Sequence, residues 1–281
     1  MKKFCDLHTH SNYSDGTLTP LQLIKKAEQC GLSAIALTDH NTITGLPDFL
    51  NAGKDSIVET IPGVEFSTTY KEKEYHVLAL FVKPEFYDTI TNLFKKYDDL
   101  KEKSNLDLIN KLKNAGMEID YKKIKDQTPN GRLNRANIAL EMVNKKYISS
   151  VEEGFKTILS KTYGFYVEPE KPGTIKIIEF IKSIGAVSVL AHPLLNHTIE
   201  DLNDLLPKAK TAGLDAMEIY YSTYTNEETN IAISLAKKHN LSFSGGSDFH
   251  GETKPDINLK TGKGNLNIPY EFLTKLKEFK N

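Results

Sequence analysis

The amino-acid sequence predicts an α/β protein with a barrel-like sheet and a small helical insert. Short apolar strand patterns alternate with helix patterns near the start of the chain and again from Gly173 onward, which favours a parallel sheet. Between these parts, residues 117 to about 165 lack strand patterns and carry apolar residues at helical spacing. Roughly six or seven strand–helix units would allow the sheet to close into a barrel.

The predicted strands are short and rich in aliphatic and aromatic residues. They cover Phe4–His8, Ala34–Thr38, Val58–Val64, Glu65–Tyr70, Tyr75–Val82, Val187–Ala191, Ala216–Tyr220 and Ser242–Gly246. Glu65–Tyr70 and Tyr75–Val82 are expected to form a hairpin, with the residues KEKE as its turn.

Helix signals lie between these strands. Thr19 is a typical N-cap residue, Pro20 suits the first helical position, and Gly31 ends the helix. The other predicted helices cover residues 44–54, 84–116, 132–144, 151–159, 174–184, 199–212, 226–239 and 270–278. We therefore expect a discontinuous barrel domain at residues 1–98 and 166–281, and a helical insert or cap at 99–165.

The length, composition and charge of the chain exclude some classes of protein. The chain has 281 residues, 39 % of them hydrophobic, and a net charge of −1. This charge argues against a protein that coats long nucleic acids, but it permits a nucleotide or short oligonucleotide as substrate. No membrane span or signal peptide is expected. Cys5 and Cys30 are interpreted as reduced, buried thiols of a cytoplasmic protein. The sequence does not indicate the oligomeric state.

Metal-competent side chains occur where the predicted strands end. These are His8, His10, His40, Glu65, His192, Asp248 and His250. His76 instead begins its strand, but an antiparallel return would bring it beside Glu65. Active sites of βα barrels gather at the carboxyl ends of the strands, so these side chains are expected to form one site.

The residue types at this site predict bound metal ions. His-x-His on a strand places two imidazoles on one face, where both can reach one ion. With Asp15, the set holds six histidines and three carboxylates, too many ligands for one ion. We expect two or three divalent ions, and the imidazole-rich set suits Mn, Zn or Fe better than Mg or Ca. Such a site attracts anions and activates water.

Six elements resemble, in order, the motifs of the PHP (polymerase and histidinol phosphatase) domain family. They are DLHTHSNYSDG, ALTDHNTITG, IPGVEFS, the later His76, VLAHP and GGSDFHG. The resemblance implies a distorted (β/α)₇ barrel with up to three divalent metals. It assigns His8, His10, Glu65 and Asp248 to one ion, Glu65, His76 and His192 to a second, and Asp15, His40 and His250 to a third.

Two arginines, the only ones in the chain, lie in the predicted insert. Arg132 and Arg135 are three residues apart, so they can share a helix face. Guanidinium groups bind phosphate bidentately, and we expect these two to bind a substrate phosphate. Members of the family often carry Arg-x-His-[IF]-Ala here, whereas this chain has Asn137 in place of the histidine. We expect this difference to affect which substrate the protein prefers.

The resulting hypothesis is a metal-dependent phosphoesterase. It would hydrolyse phosphomonoesters of a nucleotide 3′,5′-bisphosphate, or a short 5′-phosphorylated oligoribonucleotide, through a hydroxide between two metals, with no single residue assigned as catalytic. Asp6 and Asp39 are expected to support metal ligands by hydrogen bonding. The alternatives are a histidinol-phosphate phosphatase, a metal hydrolase of C–N bonds, and a non-catalytic metal-binding accessory module.

Overall fold

The computed structural model describes residues 2–127, 133 and 135–280, and in these residues it contains seven strands and ten α-helices. The strands are Cys5–Asp6 (β1), Ala34–Leu37 (β2), Glu59–Tyr70 (β3), Lys73–Leu80 (β4), Val187–Ala191 (β5), Ala216–Tyr221 (β6) and Ser242–Gly246 (β7). The helices are Pro20–Gln29 (α1), Leu46–Ala52 (α2), Tyr87–Asn114 (α3), Tyr121–Gln127 (α4), Arg135–Asn144 (α5), Val151–Lys156 (α6), Thr174–Ser183 (α7), Ile199–Ala212 (α8), Asn226–Lys238 (α9) and Tyr270–Leu276 (α10).

The strands form one seven-stranded sheet in chain order, which confirms the predicted barrel. Strand β4 is antiparallel to both β3 and β5, and the other neighbouring strands are parallel. Because of these two antiparallel pairings, the barrel differs from a regular barrel in which every strand is parallel to its neighbours. All strand ends that carry the predicted ligands still gather at one end of the barrel.

Strand β1 is shorter than the predicted strand at residues 4–8, although the chain beyond it stays beside β2, where the Thr38 amide donates to the Thr9 carbonyl at 2.9 Å. The Leu7 amide donates to the Gly245 carbonyl at 3.2 Å, and the Asp248 amide donates to the His8 carbonyl at 2.9 Å. These bonds join the first and last strands. The first histidine of the His-x-His pair therefore lies at the seam that closes the barrel.

Strand β3 is longer than predicted, and this corrects the expected position of Glu65. The segments predicted as two strands form one strand of 12 residues, with Glu65 near its middle. Strand β2 ends at Leu37, so the second half of β3 extends beyond it and pairs with β4. Glu65 still reaches the ligand end of the barrel because its neighbour is short. The turn comprises Lys71 and Glu72 alone, since Lys73 already belongs to β4.

The barrel interior is apolar at the end opposite the ligands. Ala34, Leu78 and Val189 from the strands contact Leu273 and Leu276 from α10 in one buried cluster. Helix α10 thus covers that end of the barrel. Burying a large aliphatic side chain stabilises the fold by roughly 1.5–3 kcal/mol. The apolar end of the barrel therefore offsets the free-energy cost of burying polar side chains at the other end.

The chain divides into two compact units, Met1–Thr91 with Pro172–Asn281, and Asn92–Lys171. The second unit has a core of its own, in which Leu108, Leu112, Ile138 and Met142 are buried. The domain boundaries expected from the sequence, 99–165 for the insert, stay a prediction.

No helix among the described residues is long and apolar enough to cross a membrane. Cys5 is buried, as expected, but Cys30 is only half-buried, which corrects that part of the prediction. Both thiols are free.

Candidate metal centre

Nine metal-competent side chains, Glu65 among them, lie in one cluster, and the carboxylate of Glu65 is fully buried. Its two oxygens face different imidazoles. Oε2 lies 2.9 Å from His40 Nδ1, 3.1 Å from His8 Nε2 and 3.2 Å from His10 Nε2. Oε1 lies 2.8 Å from His76 Nδ1 and 3.1 Å from His192 Nε2. Glu65 therefore joins two sets of histidines.

The two aspartates of the predicted set lie on the other side of the same histidines. Asp248 Oδ1 is 3.2 Å from His10 Nε2 and 3.4 Å from His250 Nδ1. Asp15 Oδ1 is 3.2 Å from His250 Nε2, and Asp15 Oδ2 is 3.9 Å from His40 Nε2. All nine residues expected as metal ligands thus lie in one continuous cluster.

The potential ligand atoms form three overlapping groups. In each group, one atom from every member lies within 4.8 Å of the others. The groups are His8, His10 and Glu65; His40, Glu65 and His76; and His10, Asp15, His40 and His250. His40 thus lies close to both Glu65 and Asp15. The assignment of individual ligands stays a prediction.

Several of these atoms are buried without a hydrogen-bond partner among the described residues. They are His8 Nε2, both ring nitrogens of His10, His40 Nδ1, Glu65 Oε2 and His250 Nε2. Their neighbours are close, but the contacts do not have hydrogen-bond geometry. A buried polar group without a partner costs roughly 1–3 kcal/mol, so a cluster of six is strongly unfavourable by itself. Divalent cations would satisfy these atoms, and the residues present therefore fit a metal centre.

The electrostatics favour ionised carboxylates at this centre. Burial raises the pKa of the Glu65 carboxyl, but the surrounding imidazoles of His40, His8 and His76 outweigh it and hold that pKa well below its usual range. Burial likewise raises the pKa of Asp248, and His8 and the other neighbouring imidazoles lower it well below the ordinary value. Both carboxylates are thus available as anionic ligands.

Asp39 supports the turn that carries Asp15. Its Oδ1 accepts hydrogen bonds from the Ser11 amide at 2.7 Å and from Ser14 Oγ at 2.6 Å, and its Oδ2 accepts from Ser11 Oγ at 2.7 Å. Ser14 Oγ is also 3.2 Å from Asp15 Oδ1. Asp39 thus fixes a loop that presents a ligand, rather than orienting an imidazole.

Asp6 also accepts hydrogen bonds from backbone amides. Its Oδ1 accepts from the Ser247 amide at 2.8 Å, and its Oδ2 accepts from the Lys260 amide at 2.9 Å. Ser247 directly precedes Asp248, so Asp6 holds the segment that carries this ligand. These contacts are to backbone amides and not to an imidazole, so the support that Asp6 gives to an expected ligand is indirect.

Three residues near the ligands were missed by the sequence reasoning. Glu218 is fully buried, and its Oε1 lies 3.0 Å from His8 Nδ1. Tyr221 donates from its hydroxyl to Asp248 Oδ2 at 2.8 Å, and Lys254 Nζ donates to the same oxygen at 2.7 Å. For Glu218 a signal existed, because it is the one charged residue in the strand AMEIYY. For the other two the sequence offered none.

Two ligands have backbone conformations that are rare for residues with a side chain. His192 has φ of 29° and Asp248 has φ of 55°. His192 directly follows β5, and Asp248 follows β7 after one intervening residue, Ser247. Backbone strain of this kind persists only where surrounding contacts hold it, and it concentrates at functional sites.

The arginines expected to bind substrate phosphate belong to the second unit. Arg132 lies outside the described residues. Arg135 donates from Nη1 to the Leu159 carbonyl at 3.1 Å, and its guanidinium carbon lies 3.9 Å from the centre of the Tyr166 ring. Asn137 lies in the same helix, α5. Arg135 therefore has partners within its own unit, and its role toward a substrate stays a prediction.

Comparison with known proteins identifies the family. The PHP domain family model matches residues 6–169. This chain belongs to the PHP domain family. The resemblance seen in the motifs is thereby confirmed, and the PHP protein is a metal-dependent phosphoesterase, that is, a hydrolase.

Two curated relatives and one solved structure indicate the range of similar proteins. A 5′-3′ exoribonuclease of Haemophilus influenzae is 33 % identical over 252 residues, covering 89 % of this chain and 91 % of the relative. A 3′,5′-nucleoside bisphosphate phosphatase of Chromobacterium violaceum is 25 % identical over 258 residues, 90 % of each chain. A solved structure from Bifidobacterium adolescentis has a TM-score of 0.82 at 23 % identity, with 99 % of this chain and 97 % of that chain covered, and it supports the fold.

Proposed function

We propose that this PHP protein hydrolyses the 3′-phosphate ester of a nucleotide that carries a 5′-phosphate. This chemistry is common to the two activities that the relatives' names describe, since both a nucleoside 3′,5′-bisphosphate and a short 5′-phosphorylated oligoribonucleotide contain that ester. The observation that carries the proposal is the cluster of six histidines and three carboxylates, Glu65 among them, with ligand atoms left without hydrogen-bond partners among the described residues.

Two or three divalent ions, Mn, Zn or Fe, would be held by the nine residues of the cluster. When bound, such ions polarise phosphoryl oxygens and lower the pKa of water. Asp15, Glu65 and Asp248 supply three carboxylates to the cluster and Glu218 lies beside His8, so three divalent ions would bring more positive charge than the carboxylates can balance. The remaining positive charge favours a phosphate at the centre.

The exposure of the ligands indicates the side from which a substrate enters. The side chains of His8, His10 and Glu65 are fully buried. Asp15 is 43 % exposed, and His40 is 24 % exposed. His76 is 20 % exposed as well, so we expect a phosphate to reach the centre from the side of Asp15, His40 and His76, away from the buried histidines.

A panel assay with Mn²⁺ tests the proposed substrate. We expect turnover of 3′-phosphoadenosine 5′-phosphate and of a short 5′-phosphorylated RNA, measured as released phosphate and released mononucleotide. Histidinol phosphate and an amide substrate represent the competing hydrolase hypotheses. A higher kcat/KM on histidinol phosphate than on both nucleotide substrates would contradict the proposal.

Asp15→Asn and His192→Ala test whether the cluster performs the reaction. Each removes one ligand, and we expect kcat/KM to fall by about 100-fold or more, because metal stabilisation of the transition state is worth several kcal/mol. His239→Ala is the matched control, since His239 lies at the end of α9 outside the cluster. Undiminished turnover in either ligand variant would contradict the site, and absence of turnover in the wild-type protein would favour an accessory module.

A further inference from the structure

Glu218 is a buried carboxylate that contacts two of the expected ligands at once. It lies on β6 and is completely inaccessible to solvent. Its Oε1 lies 3.0 Å from the ring nitrogen Nδ1 of His8. Its Oε2 accepts a hydrogen bond of 2.7 Å from the backbone amide of His192. A register shift between β6 and β7 occurs between Glu218 and Tyr220, and irregularities of this kind redirect side chains.

The first contact determines which nitrogen of His8 can bind a cation. When Oε1 of Glu218 accepts a hydrogen bond, as Oε2 does from the His192 amide, Nδ1 of His8 carries the proton. The other nitrogen, Nε2, then has its lone pair free, and it faces Glu65 Oε2 at 3.1 Å. A carboxylate that fixes the tautomer of a metal-binding histidine also raises its basicity as a ligand.

The second contact holds the strained backbone at His192. The φ angle of His192 is 29°, a conformation that surrounding contacts must maintain. The bond from its amide to Glu218 is such a contact. It fixes the start of the loop while the ring nitrogen Nε2 lies 3.1 Å from Glu65 Oε1.

We infer that Glu218 is a positioning residue that couples the two sides of the metal centre. His8 lies at one oxygen of Glu65 and His192 at the other. Glu218 bonds to both, so the same carboxylate orients one ligand on each side. The inference rests on the metal centre of the proposed function and is independent of the substrate.

Glu218→Gln is the informative substitution, because it keeps the shape and removes one acceptor. If the amide oxygen stays on the His192 amide, the NH₂ group faces His8 Nδ1 and forces the proton onto Nε2. If the side chain turns round, the NH₂ group faces the His192 N–H. One ligand is therefore misplaced in either orientation. We expect Mn²⁺ to bind at least one position about 10- to 100-fold more weakly, the range for partners that orient a ligand.

The measurement is a calorimetric titration of chelator-treated protein with Mn²⁺, together with the visible absorption spectrum of the protein loaded with Co²⁺. Asp215→Asn is the matched control. Asp215 is also a buried carboxylate, it directly precedes β6, and its Oδ2 accepts from the Ser188 amide at 3.0 Å, without touching the cluster. The control should bind Mn²⁺ within about twofold of wild type and keep the Co²⁺ spectrum, whereas Glu218→Gln should change both.

The result that overturns the inference is a folded Glu218→Gln protein whose Mn²⁺ affinities and Co²⁺ spectrum match those of the control. If Glu218→Gln does not fold, Glu218→Asp replaces it. Its side chain is shorter by about 1.5 Å, so it cannot keep contacts with both partners, and unchanged Mn²⁺ affinities in that variant would equally overturn the inference. Failure of the wild-type protein to bind Mn²⁺ would instead contradict the metal centre itself.

Discussion

At the scale of single residues, the two oxygens of Asp248 have different partners. Oδ1 faces His10 and His250, whereas Oδ2 accepts from Tyr221 and Lys254. Two donors on one oxygen restrict rotation of the carboxylate and leave the other oxygen for a cation. Tyr221 and Lys254 therefore hold the Asp248 carboxylate in the orientation that a metal ligand needs.

Tyr221→Phe tests this division of the carboxylate. The substitution removes the hydroxyl that donates to Asp248 at 2.8 Å and keeps the ring. We expect Mn²⁺ affinity to fall by about tenfold, because the carboxylate can then rotate. The check is a calorimetric Mn²⁺ titration of metal-free protein.

Tyr220→Phe is the control for that titration. Tyr220 is the neighbouring residue on β6, and its ring stacks on Phe272 at 5.7 Å, away from the ligands. If the two variants bind Mn²⁺ equally well, Tyr221 has no part in holding Asp248.

At the scale of elements, the hairpin of β3 and β4 aligns Glu65 with His76. Its two-residue turn has Lys71 at φ 47° and Glu72 at φ 64°, so both lie in the left-handed region. This is the geometry of tight hairpin turns whose twist matches that of the strands. The turn fixes the register, in which His76 lies opposite Ser67.

Glu72→Gly should stabilise the protein. A residue with a side chain in the left-handed region costs about 1–2 kcal/mol, and glycine avoids this at a smaller entropic cost of about 0.5–1 kcal/mol. We expect the free energy of unfolding to rise by about 0.5–1 kcal/mol, measured by urea denaturation.

Glu271→Gly serves as the comparison, because Glu271 is exposed in α10 with helical geometry. There glycine should lower the free energy of unfolding by about 1 kcal/mol. A destabilising effect at both positions would show that the left-handed conformation of Glu72 is not strained.

At the scale of the whole molecule, closure of the barrel brings residues of the candidate metal centre together. Strand β7 approaches the start of the chain so closely that a Cβ atom on Gly246 would lie 2.1 Å from His8 Cβ and 2.7 Å from the His8 amide nitrogen. Only glycine fits at this seam. The same contact places His8 beside Asp248, so the residues that close the barrel also bring two of the expected ligands together.

Gly246→Ala should therefore damage the fold and the site together. We expect a loss of about 3 kcal/mol or more in the free energy of unfolding, at the upper end of overpacking costs. Weaker Mn²⁺ binding should accompany it, because His8 must move. Urea denaturation and Mn²⁺ titration of the same sample measure the two effects.

Gly173→Ala is the control for the added methyl group. No atom lies within 4 Å of a Cβ built on Gly173, and its φ is −67°. A change below about 1 kcal/mol is expected there. If Gly246→Ala proves equally mild, the close approach at the seam does not constrain the barrel.

The sequence predicted local features correctly where a residue type strongly favours one structural position. Thr19 and Pro20 predicted the start of α1, and the structure has both positions as expected. It predicted the ends of strands less well, because these depend on which strands pair with each other. The length of β3 depends on where β2 ends, and the bonds of Leu7 and His8 to Gly245 and Asp248 join residues more than 230 positions apart in the chain.

The sequence by itself determined the α/β class, the barrel and the set of nine ligand candidates, because strand periodicity and ligand chemistry are local properties. Only the tertiary structure revealed the support around these candidates: Glu218 between His8 and His192, and Tyr221 and Lys254 on Asp248. These contacts join residues distant in the chain. Hydrogen bonds depend on distance and direction in space, and sequence spacing carries neither once the chain has folded.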